Sequence, residues 1–248
     1  MSEPLAEFPD GWERALVIAA HPDDIEWGAA AAVAAWTAAS KEVVYVLVTS
    51  GEAGIDTMDP EGATVTRQAE EQASASIVGV ADVEFLGHPD GRVEENLVLR
   101  RDLAGAIRRY RPEIVVAQNH DERWGPDPGA GWNSADHRAV GRTTVDAVSD
   151  AGNRWIFPEL SANEPWSGVQ WIAVAGSSRG THAVDVSDVL DVGVASLAAH
   201  AEYLRALGIE DPEAFARETL TGQAAAVAER FDGRAGVAFE LIPGPAAP

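Results

Sequence analysis

Residues 15–24 read Ala-Leu-Val-Ile-Ala-Ala-His-Pro-Asp-Asp, a short apolar run that ends in a polar turn. An apolar run of this length, bounded by turn residues, is typical of a buried β-strand. The Ala-rich stretch 25–39 that follows it predicts a helix. A buried strand that leads through a short turn into a helix is the unit from which parallel sheets are built. In such sheets ligands bind beyond the carboxyl ends of the strands, so we expect residues that bind a ligand or catalyse a reaction at this turn.

The same alternation continues along the chain and decides the predicted fold class. Further strands are predicted at 43–48, 83–86 and 114–117, and further helices at 66–78, 97–110 and 135–150. Beyond residue 152 the pattern predicts strands at 171–175, 182–186 and 237–241 and helices at 188–207 and 212–230. We therefore expect an α/β fold, with a mostly parallel sheet covered by helices on both faces. The C-terminal half is expected to extend or cap that sheet within a single domain of residues 1–248.

The composition argues against several classes of function. Across 248 residues, 18 Lys and Arg stand against 40 Asp and Glu, a formal net charge of −22. Such a surface repels nucleic-acid phosphates and anionic membranes, so neither is expected as a partner. There is no cysteine, which leaves His, Asp and Glu as candidate metal ligands and excludes thiol nucleophiles. The sequence has neither the pattern of a signal peptide nor an apolar run long enough to cross a bilayer, so we expect a cytoplasmic protein.

The turn after the first predicted strand carries an imidazole and two carboxylates. It lacks the glycines of a dinucleotide-binding turn, and its carboxylates would repel a phosphate. His21 and Asp24, three residues apart, can converge on one divalent cation, and Asp23 could act as a base. A third ligand must come from elsewhere, and His137 follows a loop that opens at the same sheet edge. The alternative is that Asp23 and Asp24 only cap the following helix.

Five motifs of the chain, taken together, resemble the PIG-L/LmbE-like family of zinc-dependent N-acetylglucosaminyl deacetylases. They are Ala-His-Pro-Asp-Asp-Ile-Glu at 20–26, Arg-Gln-Ala-Glu at 67–70, Leu-Gly-His-Pro-Asp-Gly at 86–91, Asp-His-Arg-Ala at 136–139 and Leu-Ala-Ala-His at 197–200. They follow one another in the family's order. The resemblance implies a Rossmann-like α/β sheet and the removal of an acetyl group from an N-acetylated amino sugar or glycoside.

The resemblance also implies roles for individual residues. The metal ligands that it implies are His21, Asp24 and His137. Zinc is the expected metal, although iron or manganese also suits two histidines and a carboxylate. Asp23 would be the general base, and Arg67 and Asp90 would contact the sugar. A small N-acetylated sugar is thus the expected partner, and a homo-oligomer is a family expectation.

One position departs from the family pattern. The family has a histidine that is thought to stabilise the oxyanion, and this chain has Ser134 in its place. A serine hydroxyl donates one hydrogen bond without charge, and loss of an oxyanion donor costs about 2.7–4 kcal/mol of transition-state stabilisation. Zinc could supply most of the polarisation, or His120 or His200 could replace the missing imidazole. Otherwise catalysis is weakened or altered.

Structural alternatives remain open for several of these residues. Asp136 is a candidate for orienting His137 or Ser134, or else a helix N-cap. Arg67 could form a surface ion pair with Glu70 instead of contacting a sugar. Trp27, Trp124 and Trp132 could stack on a sugar or could simply pack.

Two other functions compete with the deacetylase hypothesis. Residues 176–180, Gly-Ser-Ser-Arg-Gly, match the Gly-x-Ser-x-Gly pattern of serine hydrolases around Ser178, with aspartates and His200 following in the order of a catalytic triad. That pattern requires a helix directly after the serine, whereas the next residues predict a strand. A non-catalytic sugar- or metal-binding protein is the third hypothesis, and it is suggested by Ser134.

Overall fold

The structure, a computed structural model, describes residues 3–125 and 129–248. Within these ranges the strands are β1 (Ala6–Glu7), β2 (Arg14–Ala19), β3 (Glu42–Leu47), β4 (Asp82–Phe85), β5 (Ile114–Gln118), β6 (Trp171–Ala175), β7 (His182–Asp185) and β8 (Gly236–Pro243). The helices are α1 (Asp24–Gly28), α2 (Ala30–Ala38), α3 (Pro60–Ile77), α4 (Leu97–Tyr110), α5 (Ala135–Ala151), α6 (Leu190–Ala198), α7 (Ala201–Ala206) and α8 (Pro212–Ala228). A 3₁₀ helix spans Pro158–Leu160.

The strands of the described residues form one sheet, in the order β1-β7-β8-β6-β5-β2-β3-β4. Strand β8 runs antiparallel to β6 and β7, and every other neighbouring pair is parallel. The predicted α/β class with a mostly parallel sheet is therefore confirmed. The C-terminal half extends the sheet, because β6, β7 and β8 are hydrogen-bonded members of it.

Both faces of the sheet are covered by helices, and the alternation of residues along β2 shows how. Val17 and Ala19 point to an apolar layer that contains α2, whereas Leu16 and Ile18 point to a layer that contains α4 and α5. Successive side chains of a strand face opposite sides, so a strand that is apolar throughout must be covered on both. This explains why the apolar run at residues 15–19 shows no polar alternation.

The central pair of strands positions the functional residues. Strands β2 and β5 are parallel neighbours, with Ala15 opposite Ile114 and Val17 opposite Val116. Because they run in the same direction, the turn after β2 and the loop after β5 open at one edge of the sheet. Residues separated by more than a hundred positions along the chain therefore meet there.

Three predicted helices have different bounds in the structure. The helix predicted at 66–78 begins at Pro60, because Asp59 caps it by accepting a hydrogen bond from the Gly62 N–H (2.8 Å). The helix predicted at 25–39 is divided at Ala29, whose φ of −144° is not helical. The helix predicted at 188–207 is divided at 199–200, where His200 precedes α7.

Among the described residues, no helix combines the length and the apolar character needed to cross a bilayer.

Candidate metal centre

Two imidazoles and one carboxylate converge at the edge of the sheet. His137 Nε2 lies 3.0 Å from Asp24 Oδ1, His21 Nδ1 lies 3.2 Å from Asp24 Oδ2, and the two ring nitrogens lie 3.3 Å apart. Bond lengths of about 2.0–2.2 Å in a tetrahedral zinc site place neighbouring ligand atoms roughly 3.4 Å apart. The spacing of these donor atoms therefore fits a small divalent cation, and the structure brings together the three residues that the sequence predicts as metal ligands.

Local backbone geometry aims the ligands from the turn after β2. The His21 N–H donates to Asp24 Oδ2 (2.7 Å), which fixes the carboxylate beside its own turn. Asp23 adopts a left-handed conformation with φ of 96°, and α1 begins directly after it. His137 lies in the first turn of α5 and reaches the same point from the neighbouring strand's loop.

The second nitrogen of each imidazole has an oxygen partner. His21 Nε2 lies 3.1 Å from Asp90 Oδ1 and 3.2 Å from Asp136 Oδ2, and His137 Nδ1 lies 2.9 Å from Asn133 Oδ1. Metal-binding histidines typically donate their other N–H to such acceptors, which leaves the first nitrogen's lone pair free for the metal. The donor set and its supporting acceptors thus both fit a bound metal.

The charge balance of the cluster favours a cation as well. Burial by itself would raise the pKa of Asp24, but the imidazoles of His137 and His21 hold it well below its usual value. Burial by itself would lower the pKa of His21, and neighbouring carboxylates, Asp24 first, outweigh this and raise it well above its usual value. The cluster therefore attracts positive charge, and a dication is one form in which that charge can be held.

Asp136 has a different partner from the one predicted. Its carboxylate contacts His21 and accepts hydrogen bonds from the N–H groups of Gly91 (2.7 Å) and Val93 (3.1 Å), so it orients His21 and not His137 or Ser134. It is not the N-cap either. Ser134 caps α5, with its hydroxyl oxygen accepting from the His137 N–H (3.1 Å).

Asp23 lies beside the three candidate metal ligands in a dry environment. Its Oδ1 accepts from Arg67 Nη2 (2.6 Å) and its Oδ2 accepts from Trp27 Nε1 (2.8 Å). Burial and the nearby Asp24 raise the pKa of Asp23 to about 6, although Arg67 opposes the shift. Its side chain makes no capping bond to α1, which argues against the capping alternative. A desolvated carboxylate with a raised pKa suits a general base.

Arg67 lies behind Asp23 and not on the protein surface. Only 2% of its surface is exposed, its guanidinium stacks on Tyr203 (3.7 Å to the ring centroid), and it donates to the carbonyl oxygens of Pro22 and Gly51. A side chain at Gly51, where φ is 65°, would place its Cβ 2.5 Å from Arg67 Nη1. The surface ion pair with Glu70 is therefore not formed. The sugar contacts predicted for Arg67 and Asp90 remain predictions.

His200 lies outside the metal centre. It is fully buried, with Nε2 3.4 Å from Glu26 Oε2 and 3.7 Å from Glu71 Oε2. Burial would lower its pKa, but these carboxylates, Glu26 first, raise it to about 9. Glu71 also accepts from the Asp23 N–H (3.2 Å), so this buried cluster lies directly behind the turn. A substitute oxyanion donor is not the role that this position indicates.

A cavity of about 940 Å³ is lined by the three candidate metal ligands and by Asp23. Trp27, Trp124 and Tyr203 line it, and the Trp124 ring lies edge-on to His137 with 5.5 Å between centroids. Trp132 instead packs beside the guanidinium of Arg138, 5.3 Å from its ring centroid. Two of the three tryptophans considered for sugar stacking thus lie where a ligand would bind.

Sequence reasoning missed two supporting side chains. Asn133 orients His137, and Trp27 donates to Asp23. Nothing in their spacing marked them, although each lies four residues from the side chain that it contacts. Such a pair becomes visible only once a helical turn is known to connect the two positions.

The serine-hydrolase pattern lacks its required geometry. Residues 176–180 connect β6 to β7, and the chain continues into a strand and not into a helix. Ser178 is exposed, and the neighbouring Ser177 hydroxyl donates to Glu240 Oε2 (2.6 Å). The sharp strand-to-helix turn of a nucleophile elbow is therefore absent from this described segment.

Comparison with known proteins agrees with this site. The sequence model of the PIG-L family, described as GlcNAc-PI de-N-acetylase, matches residues 16–148. The chain is 28% identical over 196 residues to diacetylchitobiose deacetylase of Thermococcus kodakarensis, covering 76% of this chain and 69% of that protein. Alignments with curated relatives cover between 44% and 69% of the relatives' own length.

Solved structures share the fold. The N,N'-diacetylchitobiose deacetylase of Pyrococcus horikoshii has a TM-score of 0.82 at 22% identity, covering 94% of this chain and 85% of that one. The 4-carboxy-2-hydroxymuconate hydratase GalB of Pseudomonas putida has a TM-score of 0.71 at 20% identity, covering 94% and 95%. The fold therefore hosts more than one reaction, and the site must decide between them. Because the family model covers more than half of the chain, including the turn at 20–24 and His137, the protein belongs to the PIG-L family.

Proposed function

We propose that the protein is a zinc-dependent hydrolase that removes an acetyl group from a small N-acetylated amino sugar or glycoside. The observation that carries this proposal is the convergence of His21, Asp24 and His137 beside Asp23 in one cavity. The named activities of the family and of its relatives support the reaction class. Iron and manganese are the alternatives to zinc, since the same ligands suit them.

The metal's contribution is general Lewis-acid chemistry: zinc, when bound by these ligands, polarises an amide carbonyl and acidifies a water molecule. The chain's own residues fix where this chemistry takes place. His21 and His137 are each oriented through their second nitrogen, and Asp24 is fixed by the His21 N–H. The three side chains therefore hold their positions with little freedom to reorganise.

Asp23 handles the proton in the proposed reaction. Its carboxylate takes a proton from the attacking water and returns it to the departing amide nitrogen. The C–N bond breaks, a C–O bond forms, and acetate and a free amine are the products. Trp27 and Arg67 hold the two carboxylate oxygens, so Asp23 is fixed in place while the proton moves.

Ser134 is the proposed hydrogen-bond donor to the developing oxyanion. Its oxygen already accepts from the His137 N–H, which leaves the hydroxyl proton free to be donated to a substrate oxygen. One neutral donor stabilises an oxyanion less than an imidazolium does, so this chain depends more on the metal for polarisation.

Metal removal tests the proposal directly. We expect dialysis against a chelator to abolish acetate release from N-acetylglucosaminyl glycosides, and added zinc to restore it. Asp24→Ala should lose the metal. Asp23→Asn should keep the metal but lose turnover by a factor of about 10² or more, since it removes the general base. Asp82→Asn, at the exposed start of β4, is the control.

Three outcomes would contradict the proposal. Turnover that survives chelation would exclude a metal-dependent reaction. Unchanged rates in Asp23→Asn would remove that residue from its role. Stoichiometric metal without hydrolysis of any acetamide would favour a non-catalytic binding protein.

A further inference from the structure

The cavity at the metal centre continues far beyond the reacting groups. From the ligands it extends between the sheet and α8, within one volume of about 940 Å³. Its inner part, which we call the inner chamber, is lined by Trp27, Ala175, Leu190, Leu220, Ala224 and Val237. An acetyl group would occupy only a small fraction of such a space. The chamber therefore needs another explanation.

One face of α8 forms a wall of the chamber. Leu220, Gln223, Ala224 and Val227 all line the cavity, and their spacing places them on one side of the helix. On the opposite side, a Cβ built on Gly28 would lie 3.5 Å from the Ala175 Cβ. Gly28 and Ala175 both line the cavity and approach each other to ordinary contact distance, so neither side chain extends into the cavity space. Protein interiors are otherwise close-packed, so an apolar recess that is connected to the metal centre is a feature to account for.

The chamber offers little to a sugar. Among the six residues that define it, only Trp27 carries a polar group, and its Nε1 already donates to Asp23 Oδ2 (2.8 Å). Sugar hydroxyls transferred there would lose their hydrogen bonds to water without replacement, which is unfavourable. The sugar must therefore lie toward the exposed mouth, near Trp124 and Ser178.

Trp27 joins the chamber to the reacting groups. Its Nε1 donates to Asp23 Oδ2 (2.8 Å), while its ring packs edge-on against Phe215 of α8 with 5.5 Å between centroids. The apolar space thus begins directly beside the general base. An amide carbonyl at the metal centre has the sugar nitrogen on one side and the acyl chain on the other. If the sugar lies at the mouth, the acyl side enters the chamber.

We propose that the inner chamber binds the acyl chain of the substrate, and that the protein prefers amino sugars whose nitrogen carries a linear medium-chain fatty acyl group. This inference rests on the proposed function and specifies its substrate class. The reaction is the same hydrolysis: water and the amide give a free amine and a fatty acid. Each methylene that leaves water for the chamber should strengthen binding by about fourfold.

A homologous series tests the inference. N-acetyl-, N-butyryl-, N-hexanoyl- and N-octanoylglucosamine are compared, below the concentrations at which they form micelles. Dissociation constants are measured by calorimetry on zinc-loaded Asp23→Asn, and kcat/KM on the unmodified protein. We expect the octanoyl compound to have a dissociation constant at least about 100-fold lower than the acetyl compound and a kcat/KM at least about 100-fold higher, which allows for incomplete burial of the chain.

A matched pair of variants locates the effect. Ala224→Phe fills the chamber, whereas Ala225→Phe places the same ring on the exposed side of α8. The ratio of kcat/KM for the octanoyl compound to kcat/KM for the acetyl compound should fall strongly in Ala224→Phe and stay unchanged in Ala225→Phe. Ala224→Leu is the milder version, with a graded effect, in case the larger ring prevents folding.

The results separate this inference from the proposed function. If the acetyl compound is hydrolysed and kcat/KM stays the same or falls as the acyl chain is lengthened, the proposed acyl-binding role of the inner chamber is wrong. The proposed deacetylase activity then stands. If no compound of the series is hydrolysed, but the octanoyl compound binds tightly and Ala224→Phe abolishes that binding, the proposed deacetylase activity is wrong. The proposed role of the inner chamber then stands. If the kcat/KM ratio of octanoyl to acetyl is the same in the two Phe variants, the proposed role of the inner chamber is also wrong.

Discussion

His137 uses its two ring nitrogens for different purposes. Nε2 faces Asp24 and His21, while Nδ1 lies 2.9 Å from Asn133 Oδ1. Only one ring nitrogen of a neutral imidazole carries a proton, so an acceptor at Nδ1 decides that Nε2 presents a lone pair. On the proposed function, the metal affinity of the site should therefore depend on Asn133, which is not one of the three proposed ligands.

At this scale we predict the effect of replacing Asn133. Asn133→Ala should weaken zinc binding by about 10–100-fold, because it removes the acceptor that sets the tautomer and orientation of His137. The Asn133 amide also donates to the Asn119 and Asp121 carbonyl oxygens. Asn133→Asp keeps the acceptor and lacks these donors, so it should recover most of the affinity. Competition with a chromophoric chelator measures this, and Asn163→Ala is the control.

Equal zinc affinity in Asn133→Ala and the unmodified protein would contradict this assignment. Equal loss in the Ala and Asp variants would assign the effect to the loop and not to His137.

At the scale of elements, two helix breaks create the buried cluster behind the metal centre. The division of α1 from α2 leaves Glu26 on a short helix, and the division of α6 from α7 turns His200 inward. The helices around the cluster pack closely, since a Cβ on Gly193 of α6 would lie 2.8 Å from the Ala31 Cβ of α2. Glu71 of α3 completes the cluster. The His200 imidazole, between the carboxylates of Glu26 and Glu71, thus connects α1, α3 and the junction of α6 with α7.

The pH dependence of stability should report this cluster. Glu26, Glu71 and Asp23 raise the pKa of His200 to about 9, so its stabilising charge is fully present below about pH 6.5 and is lost as the pH rises through 9. The unmodified protein should lose about 3 kcal/mol of unfolding free energy across that window from this group. His200→Gln should lack that part of the slope. Urea unfolding at several pH values, with zinc saturating, measures the difference.

Parallel pH profiles for the two proteins would show that His200 is not charged in the folded state.

At the scale of the whole molecule, negative charge dominates. With 40 acidic against 18 basic residues, the surface repels itself at neutral pH. Several of the arginines are already paired, as Arg179 is with Asp121 (2.5 Å) and Glu240 (2.9 Å). Most of the excess carboxylates therefore face water and one another without compensation.

Salt should accordingly stabilise the fold. Raising NaCl from about 0.01 M to about 0.5 M shortens the Debye length from about 30 Å to well under 10 Å and screens the repulsion. We expect a gain of about 1 kcal/mol, or roughly 2–4 °C in Tm for a chain of this size. Calorimetric scans measure it, and sucrose at matched osmolarity is the control. A fall in Tm with salt would mean that the ion pairs outweigh the net charge.

The sequence predicted the fold class and the meeting of His21, Asp24 and His137, because strand–helix alternation implies a parallel sheet whose loops share an edge. The actual partner of Asp136 could not be predicted, since it depends on the loop after β4 approaching α5. The inner chamber was equally hidden. A gap between α8 and the sheet depends on how closely two distant segments approach, and residue types alone do not specify that distance.

The antiparallel strand β8 lies between β6 and β7, which are joined to each other only through it in the described sheet. A ribosome releases residues 236–243 long after both of its neighbours and after every ligand of the metal centre. His21, Asp24 and His137 therefore precede Val237, which lines the inner chamber, by a hundred residues or more in the order of synthesis. On the two proposals above, the residues of the metal centre are therefore synthesised before the last of those that would select the acyl chain.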